Sequence, residues 1–564
     1  MNNKRLNLII FLLFLIGAAI IGRLFWIQVL NGKFYKAMAQ GQQRFFENVT
    51  GARGEILFAN GEKLATNKIR YFVYISPGEI EDKEKTKEAL KQILDLEEGF
   101  IEEKVNNDSF YELLETKASV DQVDKLQRIN FPGIHIGQED SRIFPQGTMA
   151  SSLVGFVDSE EQGQYGLESY YQEILKGDQG IVRGEKGLSG LLISSDPMEE
   201  IKRGSTLILT LDHQVQFEAE KLLIQAKENL NIESGTIIVI KPSSGEIIAL
   251  ASFPNFNPNN YEQEKDMAVF QNQAIQSIFE PGSVFKPFTM AAALEEGKIT
   301  PETTYIDEGI VRIGEIPIYN YSKRTHGEQT MTQVLEKSIN TGAVFAEQQL
   351  GSSLFLEYLD KFGFFEKTNI DTGGEVYSKN QEFKKGYEIN FATASFGQGI
   401  EITPIQLIQA YCAIANNGKM PKPHLIKEIV NEINGNRLVQ EIQPELSQNI
   451  ISSKTSAEVT SMMISVIENG YSKKAKIPGY LIAGKTGTAQ VSWPALGINK
   501  SGYSDKTIQS FAGFAPAFNP EFLILVKLDN PETNTAEYSA MPIFHDLAKY
   551  IIDLWQIPPD YQTE

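Results

Sequence analysis

The chain has 564 residues, of which 42% are hydrophobic and 22% charged, a composition that excludes a disordered or fibrous polypeptide and a length that exceeds one hydrophobic core. Its formal charge of -20 and pI near 4.9 exclude nucleic acid as a partner, because such affinity comes from clustered Lys and Arg. The one cysteine, Cys412, cannot pair within the chain, and its apolar neighbours Ala410, Tyr411, Ala413 and Ile414 make it a buried small hydrophobe.

The first predicted element is an anchor. Residues 1-5 form a short basic tail with Lys4 and Arg5, and residues 6-30 run almost wholly apolar, broken only by Asn7, Arg23 and Gln28. That is long enough for one membrane-spanning helix. The basic flank places the tail in the cytoplasm and everything beyond Leu30 outside the cell membrane. Arg23 lies near the outer end, from which it can snorkel. Gly17, Ala18 and Ala19 suggest a cleaved signal peptide as the competing reading, but Leu24, Phe25, Trp26 and Ile27 prolong the apolar run past an ordinary signal core.

Residues 40-195 change character and are expected to form a separate pedestal domain. Tyr71–Ile75 reads as a strand, Glu84–Ile101 as a charged helical stretch, and Asn60-Gly61 as a hairpin turn with positive φ. Arg142–Gly147 and Tyr165–Glu168 read as turns with a buried arginine and a packed glutamate. Glu139-Asp140 suggests an acidic glycosyltransferase site, but its spacing to Phe144 does not fit one, and that activity is not expected.

Residues 202-564 read as an enzyme domain. Thr236–Ile240 and Glu246–Ser252 are apolar runs joined by Lys241-Pro242-Ser243-Ser244-Gly245, a hairpin signal. Ser510–Pro516 and Phe522–Leu528 form a second hairpin, turning at Asn519-Pro520. Val284–Glu296 and Thr403–Ala415 have helical periodicity and lie between them. Strands at both ends with helices between predict an α+β fold with an antiparallel sheet packed by helices.

Three short motifs occur in this domain in one order: Ser283-Val284-Phe285-Lys286, Ser338-Ile339-Asn340 and Lys485-Thr486-Gly487-Thr488. Alone, each is an ordinary helix face, cap or turn; the ordered set is the signature of serine β-lactamases and penicillin-binding proteins. Ser283 opens a helix after Pro281-Gly282 and is the candidate nucleophile, with free N–H groups for a developing oxyanion. Lys286, three residues on, shares its face and can take the serine proton only if its pKa is depressed; burial and the charge of Lys485 are the available causes. Ser338 can relay a proton, and the Asn340 amide can hold Lys286 or a substrate carbonyl; a strand-like spacing would put both on one face. Lys485 offers positive charge to a substrate carboxylate, Thr486 and Thr488 offer hydroxyls, and Gly487 lets a substrate backbone lie against the strand. The backbone N–H groups of Ser283 and Thr488 are the expected oxyanion hole.

With these motifs on the page, nearly the whole chain resembles a class B penicillin-binding protein, a monofunctional peptidoglycan D,D-transpeptidase. Ser395-Phe396-Gly397-Gln398-Gly399 with Thr403-Pro404-Ile405-Gln406-Leu407 matches the family's later helical segment, and Arg53-Gly54-Glu55-Ile56 with Arg142–Gly147 matches its pedestal. The resemblance implies that Ser283 attacks a D-Ala-D-Ala stem peptide and passes the acyl group to an amine, and that β-lactams acylate the same serine. It further implies a membrane-embedded glycan polymerase and division or elongation proteins as partners, with the division (septal) type favoured by Lys337–Gly342 and Gly397-Gln398-Gly399. Elongation-type transpeptidase, D,D-carboxypeptidase or β-lactamase, and a catalytically weak penicillin-binding scaffold or sensor are the alternatives. Ile339 departs from the family's usual Ser or Cys, a change that bears on pocket polarity. The five histidines lack ligand spacing, so no metal and no cofactor is expected; His326 is read as a turn residue.

Overall fold

The computed structural model describes residues 3–31, 44–186, 192–197, 202–381, 383–433 and 435–562; the expected start of the pedestal at Gln40 lies outside them. The chain divides into two compact units, the first made of Met1–Arg53, Lys176–Gly204 and Glu432–Gly435 and the second of the rest.

In the first unit, Asn3–Phe25 is an α-helix that continues as a π-helical turn over Trp26–Leu30. The apolar part, Asn7–Leu30, has 24 residues, about 36 Å at the helical rise and enough to cross a membrane once. The Arg23 guanidinium lies over the Trp26 ring, 4.6 Å from its centroid, an amphipathic pair suited to a membrane boundary. The same unit holds an antiparallel sheet of Arg44–Thr50, Gln179–Lys186 and Leu192–Pro197.

The second unit contains a catalytic sheet whose strands we label β1 (Ser234–Ile240), β2 (Ile247–Phe253), β3 (Ala483–Ser492), β4 (Tyr503–Ala515) and β5 (Phe522–Asp529). Their order is β2-β1-β5-β4-β3, with every pair antiparallel. Six helices concern the argument: α1 (His213–Leu230), α2 (Lys286–Glu295), α3 (Asn340–Leu350), α4 (Pro404–Ala415), α5 (Ser453–Glu468) and α6 (Ala540–Trp555). Alternation along β1 sends Ile237 and Val239 into one core with α1 and α6, and Ile238 and Ile240 into another with α2, α4 and α5. Both faces are covered, which is why these strands read as continuous apolar runs. Helix α4 begins with a capping box, Thr403 and Gln406 each bonding the other's backbone N–H, and Cys412 is fully buried within it.

The pedestal motifs also meet in this unit. Arg142 donates to Glu168 Oε1 at 2.7 Å, to the Gly54 carbonyl at 2.8 Å and to Asn67 Oδ1 at 3.2 Å. Both charged side chains are buried. The hairpin of Ile56–Leu57 and Lys63–Ile75 turns at Gly61 with φ 84°; Asn60 keeps negative φ, so the positive φ falls on the glycine alone. The charged stretch Glu84–Ile101 is two helices, Lys83–Leu94 and Glu98–Asn106, because Asp95 ends the first in the left-handed region at φ 58°. Glu139 pairs with Arg70 across the sheet, a structural role.

Candidate active site

Gly282–Phe285 is a 3-10 turn that runs directly into α2. From Pro281 to Leu294 every residue is buried except Ser283, which is half-buried. The turn is held from behind by backbone: the Gly282 N–H donates to the Gly397 carbonyl at 2.9 Å. Gly397 has φ 82°, and a Cβ there would stand 2.1 Å from the Gly282 oxygen, so only glycine allows this approach. The Tyr411 hydroxyl of α4 donates to the Val284 carbonyl at 2.5 Å, and Thr289 donates to the Ser395 carbonyl at 2.7 Å. These supports from Gly397, Ser395 and Tyr411 were not assigned roles by sequence reasoning, although the Ser395–Gly399 motif was visible.

Lys286 is fully buried. Its Nζ stands 2.9 Å from Ser283 Oγ, 2.7 Å from the Ser338 carbonyl, 2.8 Å from Asn340 Oδ1 and 3.2 Å from Ser338 Oγ. The carbonyl and the amide oxygen can only accept, so they occupy both N–H groups of a neutral amine. Its lone pair is then left for the Ser283 proton. Burial, and after it the positive charge of Lys485, hold the Lys286 amine well below its ordinary range.

Ser338 and Asn340 converge on Lys286 by a route other than strand alternation. Ser338 is left-handed at φ 55°, Ile339 is extended, and Asn340 opens α3. The positive φ turns both the carbonyl and the hydroxyl of Ser338 toward the amines. Ile339 is buried in the helical core, so its departure from the family pattern leaves the pocket's polarity untouched. Asn340 Nδ2 donates to the Tyr319 carbonyl at 3.1 Å, which fixes the amide with its oxygen toward Lys286. Behind it, the Asp307 carboxylate accepts from Gly309 N–H, Asn320 Nδ2, His326 N–H and Thr341 Oγ1, a network with no sequence signal.

Lys485 on β3 is 1% exposed, and its Nζ donates to Ser338 Oγ and to the Thr486 carbonyl, each at 3.0 Å. One hydroxyl therefore lies between two amines. Burial pushes Lys485 down to about 7, opposed by the charge of Glu537. Thr486 and Thr488 are half-buried, and Thr488 Oγ1 accepts the Ala536 N–H at 3.2 Å. A Cβ on Gly487 would meet Ser510 Oγ at 2.5 Å, Val284 Cγ1 at 2.9 Å and the Pro281 carbonyl at 3.0 Å. The missing side chain makes room for the nucleophile turn.

β3 is an edge strand, and its free edge lies beside the Ser283 turn: the Thr488 carbonyl is 3.3 Å from the position a Gly282 Cβ would take. Within a strand the N–H and C=O of one residue face the same side, so the Thr488 N–H also faces the turn. The Ser283 N–H belongs to the first turn of a helix, where such groups have no partner in the turn itself. The arrangement suits the expected pair of oxyanion donors. A buried serine–lysine pair, a hydroxyl shared with a second lysine, and two backbone donors on an antiparallel sheet define a class, the penicillin-recognising serine acyltransferases.

Comparison with known proteins narrows this. Residues 235–549 match the penicillin-binding protein transpeptidase domain and residues 48–209 the penicillin-binding protein dimerisation domain, and the chain belongs to that family. Stage V sporulation protein D of Bacillus subtilis is 30% identical over 536 residues, covering 94% of this chain and 82% of that protein. Peptidoglycan D,D-transpeptidase FtsI of Escherichia coli is 28% identical over 97% of this chain and 91% of its own. Penicillin-binding protein 2X of Streptococcus thermophilus superposes with a TM-score of 0.75 at 24% identity, over 90% of this chain and 80% of that one, a likeness of fold. Penicillin-binding protein 3 of Mycobacterium tuberculosis, solved with aztreonam, gives 0.70 at 26% identity over 91% and 98%.

Proposed function

We propose that this chain is a serine-type peptidoglycan D,D-transpeptidase, inhibited by β-lactams, that works in septal wall synthesis. The observation that carries the chemistry is Lys286: buried, its N–H groups taken by two obligate acceptors, and 2.9 Å from Ser283 Oγ. In the first step Ser283 Oγ bonds to the penultimate D-Ala carbonyl while its proton passes to Lys286. The tetrahedral oxyanion faces the N–H groups of Ser283 and Thr488. Collapse breaks the D-Ala-D-Ala amide, and the leaving amine takes a proton through Ser338, which Lys485 resupplies. An acceptor amine then attacks the ester and forms the cross-link, its proton going to Ser283, while the proton held by Lys286 passes through Ser338 to Lys485 and restores both lysines. The stem peptide is read as an added strand on the free edge of β3, with Thr486 and Thr488 as hydroxyl partners.

Residues 1-5, 6-30, 40-195 and 202-564 are assigned as tail, anchor, pedestal and catalytic domain; the two family matches support the last two and the apolar helix Asn7–Leu30 supports the anchor. The catalytic domain is placed outside the cell membrane on the basic tail, and a membrane-embedded glycan polymerase is the proposed partner. The septal assignment is supported by the similarity to FtsI; the similarity to a sporulation protein supports a second reading, wall synthesis in spore formation.

The test of the chemistry is labelling of the full-length chain in detergent with a fluorescent penicillin, wild type beside Ser283→Ala. A label on Ser283 that the variant loses supports the reading; a folded wild type that takes none favours the scaffold. For the septal role, a fluorescent fusion should gather at the division site, and an even distribution along the side wall would count for elongation.

A further inference from the structure

The free edge of β3 runs past the reaction centre in both directions, and the chemistry gives a peptide lying there an orientation. The leaving amine takes its proton through Ser338, whose hydroxyl is bonded by Lys485 at 3.0 Å, and a proton donor has to stand within hydrogen-bond reach of the atom it serves. The departing D-Ala therefore lies toward Lys485, near the start of β3. The rest of the donor runs the other way, antiparallel to the strand, past Thr488 toward Gln490 and Ser492. It advances about 3.4 Å per residue, so the residue immediately upstream of the acylated D-Ala comes level with Gln490.

A cavity of about 250 Å³ opens at that end of the strand. Gln490 and Ser492 line it from β3, and Phe279 and Glu280 line it from the chain that leads into the Ser283 turn. Tyr503, the first residue of β4, ties the two sides together: its hydroxyl donates to Glu280 Oε2 at 3.0 Å. Of the four carboxylates that line the cavity, Glu233 is paired with Lys506 at 2.5 Å and Asp529 with Lys527 at 2.6 Å, while Glu401 is exposed and accepts from Ser378 at 3.0 Å. Glu280 differs from these. It is half-buried, it has no basic partner among the described residues, and burial pushes its carboxyl up to about 7 against the bonds from Tyr503 and the Gly399 N–H. A carboxylate in such a place is stabilised most by a cation that the ligand brings, and a concave site with a few converging polar groups is where ligands are read.

The donor carries a cation of the right kind. A wall peptide that donates one cross-link and accepts another has an amine of its own, and that amine lies upstream of the D-Ala-D-Ala end, since D-Ala has no side-chain nitrogen. We propose that Glu280 is a specificity residue for the donor: the cavity between Gln490 and Glu280 takes the amine-bearing side chain immediately upstream of D-Ala-D-Ala, and the Glu280 carboxylate accepts a hydrogen bond from its ammonium. This rests on the transpeptidase reading above. Glu280 takes no part in the acyl transfer itself; it sorts donors by the charge they present beside Gln490.

The test is acylation of the full-length chain in detergent by three synthetic donors, acyl-L-lysyl-D-alanyl thioesters that differ only at the lysine side chain: free ammonium, acetylated, or succinylated. The readout is kcat/KM from thiol release. Wild type should prefer the ammonium donor to the acetylated one by about tenfold, the size of a charge-assisted hydrogen bond in a half-buried site, and should take the succinylated donor slowest. Glu280→Gln keeps an oxygen for Tyr503 and removes the charge, and should bring the ratio between the first two donors close to one. Damage to the nucleophile turn would lower all three rates together and leave their ratios unchanged. Equal rates with all three donors in wild type, or a Glu280→Gln ratio equal to that of wild type, overturns the proposal. The comparison of donors needs no variant, so it decides even where Glu280→Gln does not fold. Labelling of Ser283 by a fluorescent penicillin with no reaction of any donor overturns it as well. A chain that takes neither penicillin nor thioester overturns the transpeptidase reading and this inference with it, a result distinct from turnover of all three donors at one rate.

Discussion

The Lys286 amine stands 2.9 Å from Ser283 Oγ, with its own two N–H groups directed at the Ser338 carbonyl and Asn340 Oδ1. A general base held in that geometry contributes about 10²–10⁴-fold to proton transfer. Lys286→Ala should therefore slow penicillin labelling of Ser283 by about a thousandfold, measured as the second-order acylation rate of the folded variant. Labelling at the wild-type rate would sink the assignment of the base.

Lys485 couples catalysis to stability. Its amine is pushed down to about 7 in the folded chain, whereas the unfolded chain titrates near 10.4. Between those values the unfolded state binds the extra proton, so the lysine makes stability rise with pH across roughly 7 to 10.4. Below that window the charged amine is held in a buried site at full cost. Lys485→Met should show its largest gain, or smallest loss, in melting temperature relative to wild type near pH 6–7, and the difference should shift in favour of wild type toward pH 10. A difference that does not change with pH refutes this linkage.

Gly487→Ala should act on the nucleophile and not on the sheet. Its Cβ would meet Ser510 Oγ, a hydroxyl that can rotate away, and would press on Val284 and the Pro281 carbonyl; displacement of a nucleophile by about 1 Å costs on the order of a hundredfold. We expect acylation to fall by about that factor while the melting temperature changes by only a few degrees. Equal losses in Gly487→Ala and in an Ala substitution at the solvent-facing Gly497 would contradict it.

Arg142 and Glu168 form a buried pair in the pedestal segment. Removing one partner of such a pair costs about 3–5 kcal/mol, whereas replacing both with apolar residues is often neutral. Arg142→Met alone should be strongly destabilised in denaturant unfolding, and Arg142→Met with Glu168→Leu should recover most of the loss. A double variant no better than the single one would show that the hydrogen bonds to Gly54 and Asn67 carry the arginine's role.

The antiparallel sheet was legible because its hairpins are marked by turn residues and covered on both faces, which makes their runs apolar throughout. Ser283 and Lys286 were legible because three residues along a helix fix a shared face. Ser338 and Asn340 were found by their order, but the geometry behind their convergence, a left-handed serine, leaves no trace in a spacing of two. The contact of Gly487 with the nucleophile turn was not legible, since sequence does not say which chain passes over a strand. Ile339 was read as a pocket residue because the extended residue between two polar ones carries no sign of which way it points. Asp307 was invisible because it acts across a gap in sequence, on Thr341, and sits in no local pattern.

The free border of β3 has a further consequence. Unpaired edges of sheets are ordinarily blunted with lysine, proline or a bulge because they template the association of one chain with another. From Ala483 to Ala489 this strand pairs with β4 in unbroken register, and its one irregularity falls after Gln490. On the proposed reading a peptide docks there as an added strand, so the stretch cannot carry an outward guard, and its one lysine, Lys485, is buried. The same geometry that on this reading makes the border a docking rail makes it a place where crowded or partly unfolded copies of this chain can pair, and occupancy by substrate or inhibitor would then also act as its protection.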